Sequence, residues 1–241
     1  MCTKNQPRAN YQQAHLPADS GVELNSSVKI WDLATRINHW LLAVLVCTLL
    51  ISGFVGLGDR PPHMVAGLLL TWAVVWRWLW GVWGSHTARF SQFVKGPIAV
   101  FHYFRGSFKE NKNQLAIGHN PAGGWMVMTM LVLLTCQVGT GMHLGGIIDL
   151  TTITGNAVDE FAGVAHGVLA CLLVFCIAVH LIAVIVYLLK GQRLVRAMVT
   201  GKLDSTEMLD NRELAFAGGI KLIITLVVAL GLVGLLIVTI N

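Results

Sequence analysis

Apolar runs of eighteen residues or more recur along the chain, and polar residues gather between these runs instead of alternating within them. A helix rises about 1.5 Å per residue, so each run is long enough to cross a hydrocarbon core about 30 Å thick. The pattern predicts five transmembrane helices. The first extends from about Leu33 to Leu57, with Asp32 placed to cap it. The second follows Pro61-Pro62 and runs from His63 to about Trp83, proline being well suited to a first helical turn. The third, about Ala122–Met142, follows the turn-like stretch GHNPAGG; the fourth covers about Val158–Leu189 and the fifth about Leu214–Ile240. The expected organisation is an all-α integral membrane protein. It has a flexible tail over residues 1–28, four spans within 29–190, a connector over 191–213 and a fifth transmembrane helix within 214–241.

Composition narrows the class. Of 241 residues 55% are hydrophobic and 12% charged, about half the roughly 25% typical of soluble domains. The net charge of +5 does not mark a nucleic-acid surface, because the basic residues sort by loop. Arg89, Lys95, Arg105, Lys109 and Lys112 lie between spans two and three, and Lys190, Arg193, Arg196, Lys202 and Arg212 between spans four and five. The loop between spans three and four carries Asp149, Asp159 and Glu160 with no Lys or Arg. The positive-inside rule then predicts a cytoplasmic N-terminus and a C-terminus on the opposite side. The first 27 residues contain no apolar core of the kind a signal peptide needs, so no cleaved leader is expected. Trp76, Trp78, Trp80 and Trp83 crowd the end of span two, where an inner interfacial belt is expected. Lys221, early in span five, is expected to snorkel to the same interface. Cys47, Cys136, Cys171 and Cys176 fall inside the apolar runs and are expected to be buried structural thiols. No CxxC or CxxCH occurs, which leaves covalent c-type haem and zinc-finger sites without support.

The candidate chemistry lies in span four. His166 and His180 stand fourteen residues apart in it. At 3.6 residues per turn they project within about 40° of one another and about 21 Å apart along the axis. One imidazole therefore falls near each side of the bilayer. Two further histidines sit near span ends: His39 at the inner end of span one and His63 at the outer end of span two. Span four runs from outside to inside, so depth pairs His63 with His166 and His39 with His180. Two imidazoles from facing helices at each of two levels are what the iron of a b haem takes as axial ligands, so the candidate cofactors are two b haems.

Nearby cations fit the same picture. Arg77 lies fourteen residues after His63, on the same helical face but near the inner level. A cation inside a span needs a polar partner, and haem propionates or a quinone head would serve. Arg36 is placed to pair with the inner haem's propionates and Arg60 with the outer's. Gly53, Gly67 and Gly167 are small enough to admit a flat macrocycle, although close helix packing explains them as well. His15 belongs to the tail, His86, His102 and His119 to the inner loop, and His143 to an outer edge.

The stretches WDLATRINHW, RPPHMVAG, GHNPAGGWMVM and AHGVLACLLVFCIAVH resemble the bacterial cytochrome b561 family, which includes the b-type cytochrome subunits of membrane-bound nickel–iron hydrogenases. The resemblance covers about Lys29 to Leu189, and the four histidines fall where that family carries its haem ligands. It implies a four-helix dihaem bundle in the bacterial inner (plasma) membrane with a periplasmic C-terminus. One end of such a bundle exchanges electrons with membrane quinone, ubiquinone or menaquinone, and the other meets a hydrogenase, a periplasmic c-type cytochrome or superoxide. The fifth span and the polar tail depart from the simplest pattern. A stand-alone superoxide:quinone oxidoreductase is one alternative. Others are a transporter with a histidine proton or metal relay, and a membrane anchor with incidental histidines. Carboxylates inside the spans, which a relay would call for, are almost wholly missing, and no nucleophile–base pair or carboxylate dyad suggests bond-breaking catalysis.

Overall fold

The computed structural model describes residues 26–106, 120–148, 151, 157–205 and 215–240. Five of its helices are long and apolar enough to cross a membrane. In chain order the elements are strand β1 (Ser26–Lys29), α1 (Leu33–Phe54), α2 (Pro61–Trp83), a 3-10 turn at His86–Ala88, α3 (Phe90–Phe93), α4 (Pro97–Gly106), α5 (Pro121–Leu144), α6 (Ala157–Leu189), α7 (Leu194–Thr200), β2 (Lys202–Ser205) and α8 (Gly219–Ile240). The protein is an all-α membrane fold with one small ribbon at its edge. His15, His119, Lys109, Lys112 and Asp149 lie outside the described residues, as does nearly all of the expected tail.

Local chemistry sets the helix starts. Asp32 caps α1, its Oδ1 accepting from the Thr35 amide at 2.6 Å. Asn120 does the same for α5 through the Gly123 amide at 2.6 Å, with Pro121 in the first helical turn. Pro61 and Pro62 open α2, and Asp159 and Glu160 place negative charge on the first turn of α6. At the end of the bundle that the charge pattern predicts to be inner, Asn120 Nδ2 donates to the Tyr187 hydroxyl, which also shares a 2.6 Å hydrogen bond with Tyr103; α4, α5 and α6 are thereby tied together.

α2 is the hub. It packs against α1, α5 and α8, while α6 lies against α5. Its inward face buries Ala66, Leu70, Ala73, Val74 and Arg77. The opposite face stacks Trp72 on Trp76, ring centroids 5.7 Å apart, under α8. Thr225, Ala229 and Val233 form the buried stripe of α8 against it, so the fifth helix packs on its own bundle. Asn38, 1% exposed, donates to the Ala73 carbonyl at 3.0 Å and fixes the depth of α1 against α2.

Three expectations change. Trp76 and Trp80 are each only 2% exposed, buried among α1, α2 and α8 instead of standing in an interfacial belt; Trp83, 58% exposed, remains at the surface. Cys47, Cys136 and Cys171 are exposed on the outside of the helices, so they are not core thiols. Residues 26–28, assigned to the tail, and residues 202–205, assigned to the connector, pair as an antiparallel ribbon, Val28 opposite Leu203 and Lys29 opposite Lys202. Gly201 joins this ribbon to α7 and α1. Its φ of +80° ends α7, and its carbonyl accepts from Ile30 N at 2.8 Å and Trp31 N at 3.2 Å. A Cβ there would stand 2.8 Å from the Trp31 carbonyl oxygen. Gly201→Ala is therefore expected to destabilise the protein by about 1–3 kcal/mol, checked as a lower Tm in detergent.

Candidate functional site

The structure brings His39 of α1 together with His180 of α6, and His63 of α2 with His166 of α6; in each pair the imidazoles are close enough to act on one another electrostatically. The most extensive contacts among these four helices run α1–α2, α2–α5 and α5–α6. Between the two levels, seven residues from His166 and seven from His180, Leu173 is 2% exposed in an apolar cluster with Leu45, Val46, Ala66, Leu70, Ala73, Val74, Leu131 and Leu134. Two polar levels are separated by a dry layer.

At the outer level hydrogen bonds hold both imidazoles. Ser52 Oγ lies 3.1 Å from the Leu49 carbonyl and 2.7 Å from His63 Nδ1, joining the ring to α1. Thr140 Oγ1 lies 3.1 Å from the Cys136 carbonyl, 3.0 Å from the Gln137 carbonyl and 3.0 Å from His166 Nδ1. Gln137 Nε2 lies 3.1 Å from His166 Nε2, so α5 meets both nitrogens of that ring. Gln137, Thr140 and Gly141 are spaced at i, i+3 and i+4, so one face of α5 surrounds His166. At the inner level His39 Nδ1 is buried with no hydrogen-bond partner among the described residues.

Small residues lie beside the rings. A Cβ at Gly67, one turn after His63, or at Gly163 and Gly167, flanking His166, would meet nothing within 4 Å. A Cβ at Gly53 would stand 3.7 Å from His63 Cε1, and one at Gly141 3.0 Å from His166 Cε1. Among the described residues no three His, Cys, Asp or Glu come together as a metal cluster. Two imidazoles per level suit a metal whose equatorial positions are already filled, as in haem, where the protein supplies the axial ligands. The paired imidazoles and the open flanks at Gly67, Gly163 and Gly167 fit that group, with His166 Nε2 available to iron once Gln137 gives up its contact there.

The described pattern of prokaryotic cytochrome b561 matches residues 30–201. The chain belongs to this family. No curated protein and no solved structure matches it. As a cytochrome b561 it is a multi-pass membrane protein of transmembrane electron transfer that binds b-type haem. The matched stretch contains both histidine pairs and ends at the glycine that caps α7; α8 lies beyond it.

The three arginines separate. Arg77 is 8% exposed at the inner end of α2, 5.2 Å from the Phe90 ring, within electrostatic reach of Asp32 and with Nη1 unpartnered among the described residues. Arg36 donates through Nη1 to the Val199 carbonyl, so it also holds α7 to α1. Arg60 is exposed and lies 3.7 Å from Asp59. His143 is engaged on both nitrogens, by the Ile148 carbonyl at 3.0 Å and by Asp159 Oδ1 at 2.9 Å. Sequence reasoning missed Ser52, Gln137, Thr140 and Gly141, which reach the histidines from other helices. In this cytochrome b561, Gly141→Val is expected to displace the His166 ring and lower haem content while the helical circular dichroism is kept.

Proposed function

We propose that this cytochrome b561 holds two b haems, one between His63 and His166 and one between His39 and His180, and passes electrons across the bilayer between membrane quinone and a redox partner. The observation that supports this most is the meeting of histidines at two levels with an apolar layer between them. When bound, haem supplies the one-electron couple of its iron. The chain's own part is to present the four imidazoles, fix the separation of the levels and keep an apolar layer between them.

The quinone head is placed at the inner level, near His39 and Arg77. Thr35 Oγ1 and Arg77 Nη1 are buried at this end without hydrogen-bond partners among the described residues. Buried polar atoms are normally satisfied, and a quinone carbonyl or a haem propionate answers such donors. The basic loops support a cytoplasmic position for this end in the bacterial inner membrane. The outer level then faces the redox partner, a periplasmic cytochrome or a hydrogenase-type complex.

A pyridine haemochrome assay on the purified protein tests the core of this reading. Two b haems per chain are expected, with His166→Ala and His180→Ala each losing about one. Folded protein without haem would overturn the proposal in favour of a histidine relay for protons or metal. Arg77→Ala is expected to slow quinol-driven haem reduction with both haems retained; unchanged kinetics would remove the quinone from this site.

A further inference from the structure

The end of α2 and the start of α8 enclose a cavity of about 220 Å³ that contains none of the four histidines. Trp83, Gly84 and Arg89 line it from the α2 side, and Ala215, Phe216 and Lys221 from the α8 side. Two hydrogen bonds join these sides. His86 N donates to the Ala215 carbonyl at 3.0 Å, and Ala217 N donates to Ser85 Oγ at 2.9 Å. Ser85 is fully buried, so the joint is part of the packed structure. α8 and its lead-in lie beyond the stretch that matches the family, so half of this cavity is an addition to the matched domain.

The charge in the cavity has one sign. Its two charged lining residues are Arg89 and Lys221, and no carboxylate lines it. Arg89 Nε is buried with no hydrogen-bond partner among the described residues, and a buried guanidinium N–H calls for an acceptor. Lys221 stands in the first turn of α8, where the helix dipole disfavours a cation, and that turn holds no acidic residue. Lys29 adds a third cation at the same joint, 4.6 Å above the Phe216 ring. An anion placed between Arg89 and Lys221 would satisfy the donor and the dipole together. The volume falls short of the roughly 300–1,000 Å³ of a pocket for a drug-sized ligand, which suits a small anionic group.

The surroundings point to the source of that group. Val82, which also lines the cavity, is exposed, as are Trp83 and, on α8, Ile220 and Ile224. Such apolar surface beside the cavity belongs against acyl chains, and tryptophan is favoured at headgroup depth. The cavity lies where one span ends and another begins, at the end that the charge pattern predicts to be cytoplasmic. Basic pockets between spans on that side are where anionic headgroups bind.

We propose that this cavity is a binding site for the phosphate of an anionic phospholipid, with Arg89 and Lys221 holding the phosphate and the acyl chains leaving past Val82. The bound lipid fastens the fifth span to the matched domain. The site is independent of what the four histidines hold.

The test uses the purified protein, stripped of lipid in a neutral detergent and titrated with phosphatidylglycerol, phosphatidylcholine or inorganic phosphate. Lipid retained per chain is read by native mass spectrometry, and Tm by the loss of helical circular dichroism. Phosphatidylglycerol is expected to bind at one copy per chain and raise Tm, and the other two are not. Arg89→Gln and Lys221→Gln are each expected to weaken its binding about tenfold, the size of one charge-assisted hydrogen bond. Lys221→Arg is expected to bind as the native chain does, and so is Lys95→Gln, which removes an exposed cation that does not line the cavity. Lys221 is exposed, so if Arg89→Gln fails to fold, Lys221→Gln decides alone. Equal binding of phosphatidylcholine overturns the proposal, as does native affinity in Lys221→Gln or an equal loss in Lys95→Gln. Inorganic phosphate reproducing the whole Tm shift would overturn the lipid assignment in favour of a free anion.

Discussion

An imidazole offers a metal one lone pair, and it does so dependably only when the proton is kept on the other ring nitrogen. That requirement governs the arrangement of this bundle. At the outer level Ser52 Oγ and Thr140 Oγ1 stand at Nδ1 of His63 and His166 and are themselves within hydrogen-bond distance of helix carbonyls, which holds both rings in orientation. The hydroxyls belong to α1 and α5, and the imidazoles to α2 and α6. Four helices must therefore stand at the correct depth relative to one another before either ligand is set.

Depth is fixed by polar contacts and by shape, since lipid gives no hydrophobic force between helices. Asn38 gripping the Ala73 carbonyl sets α1 against α2. Trp78 Nε1 donates to Thr135 Oγ1 at 3.0 Å and sets α2 against α5. The Tyr103–Tyr187–Asn120 cluster ties α5 to α6 at the inner end, and His143 with Asp159 does so at the outer. Leu173 closes the middle. Helices in direct contact lie about 8–10 Å apart, and the most extensive contacts lead from α1 through α2 and α5 to α6.

The spans were legible in the sequence because apolar length is a one-dimensional signal, and the histidine pairing because fourteen residues along one helix fix both face and depth. What escaped were features made by two distant pieces of chain. Thr140 is an ordinary polar residue in an apolar run until α6 lays His166 beside it. The tryptophans of α2 have the composition of an interfacial belt and become core only because α8 covers them. The ribbon of SSVK with KLDS is too short and too polar to show the alternation that marks a strand. Arg36 shows the same limit: near a histidine it reads as a propionate partner, and its carbonyl contact with Val199 needs α7 to be in place.

That ribbon has a consequence for synthesis. Lys29 and Lys202 are paired, yet 173 residues separate them along the chain. A ribosome adding about 5–20 residues per second needs roughly ten to thirty-five seconds to deliver the second strand after the first. The segment leading into α1 therefore waits unpaired while four spans enter the bilayer, and it is fastened only when Gly201 and β2 emerge.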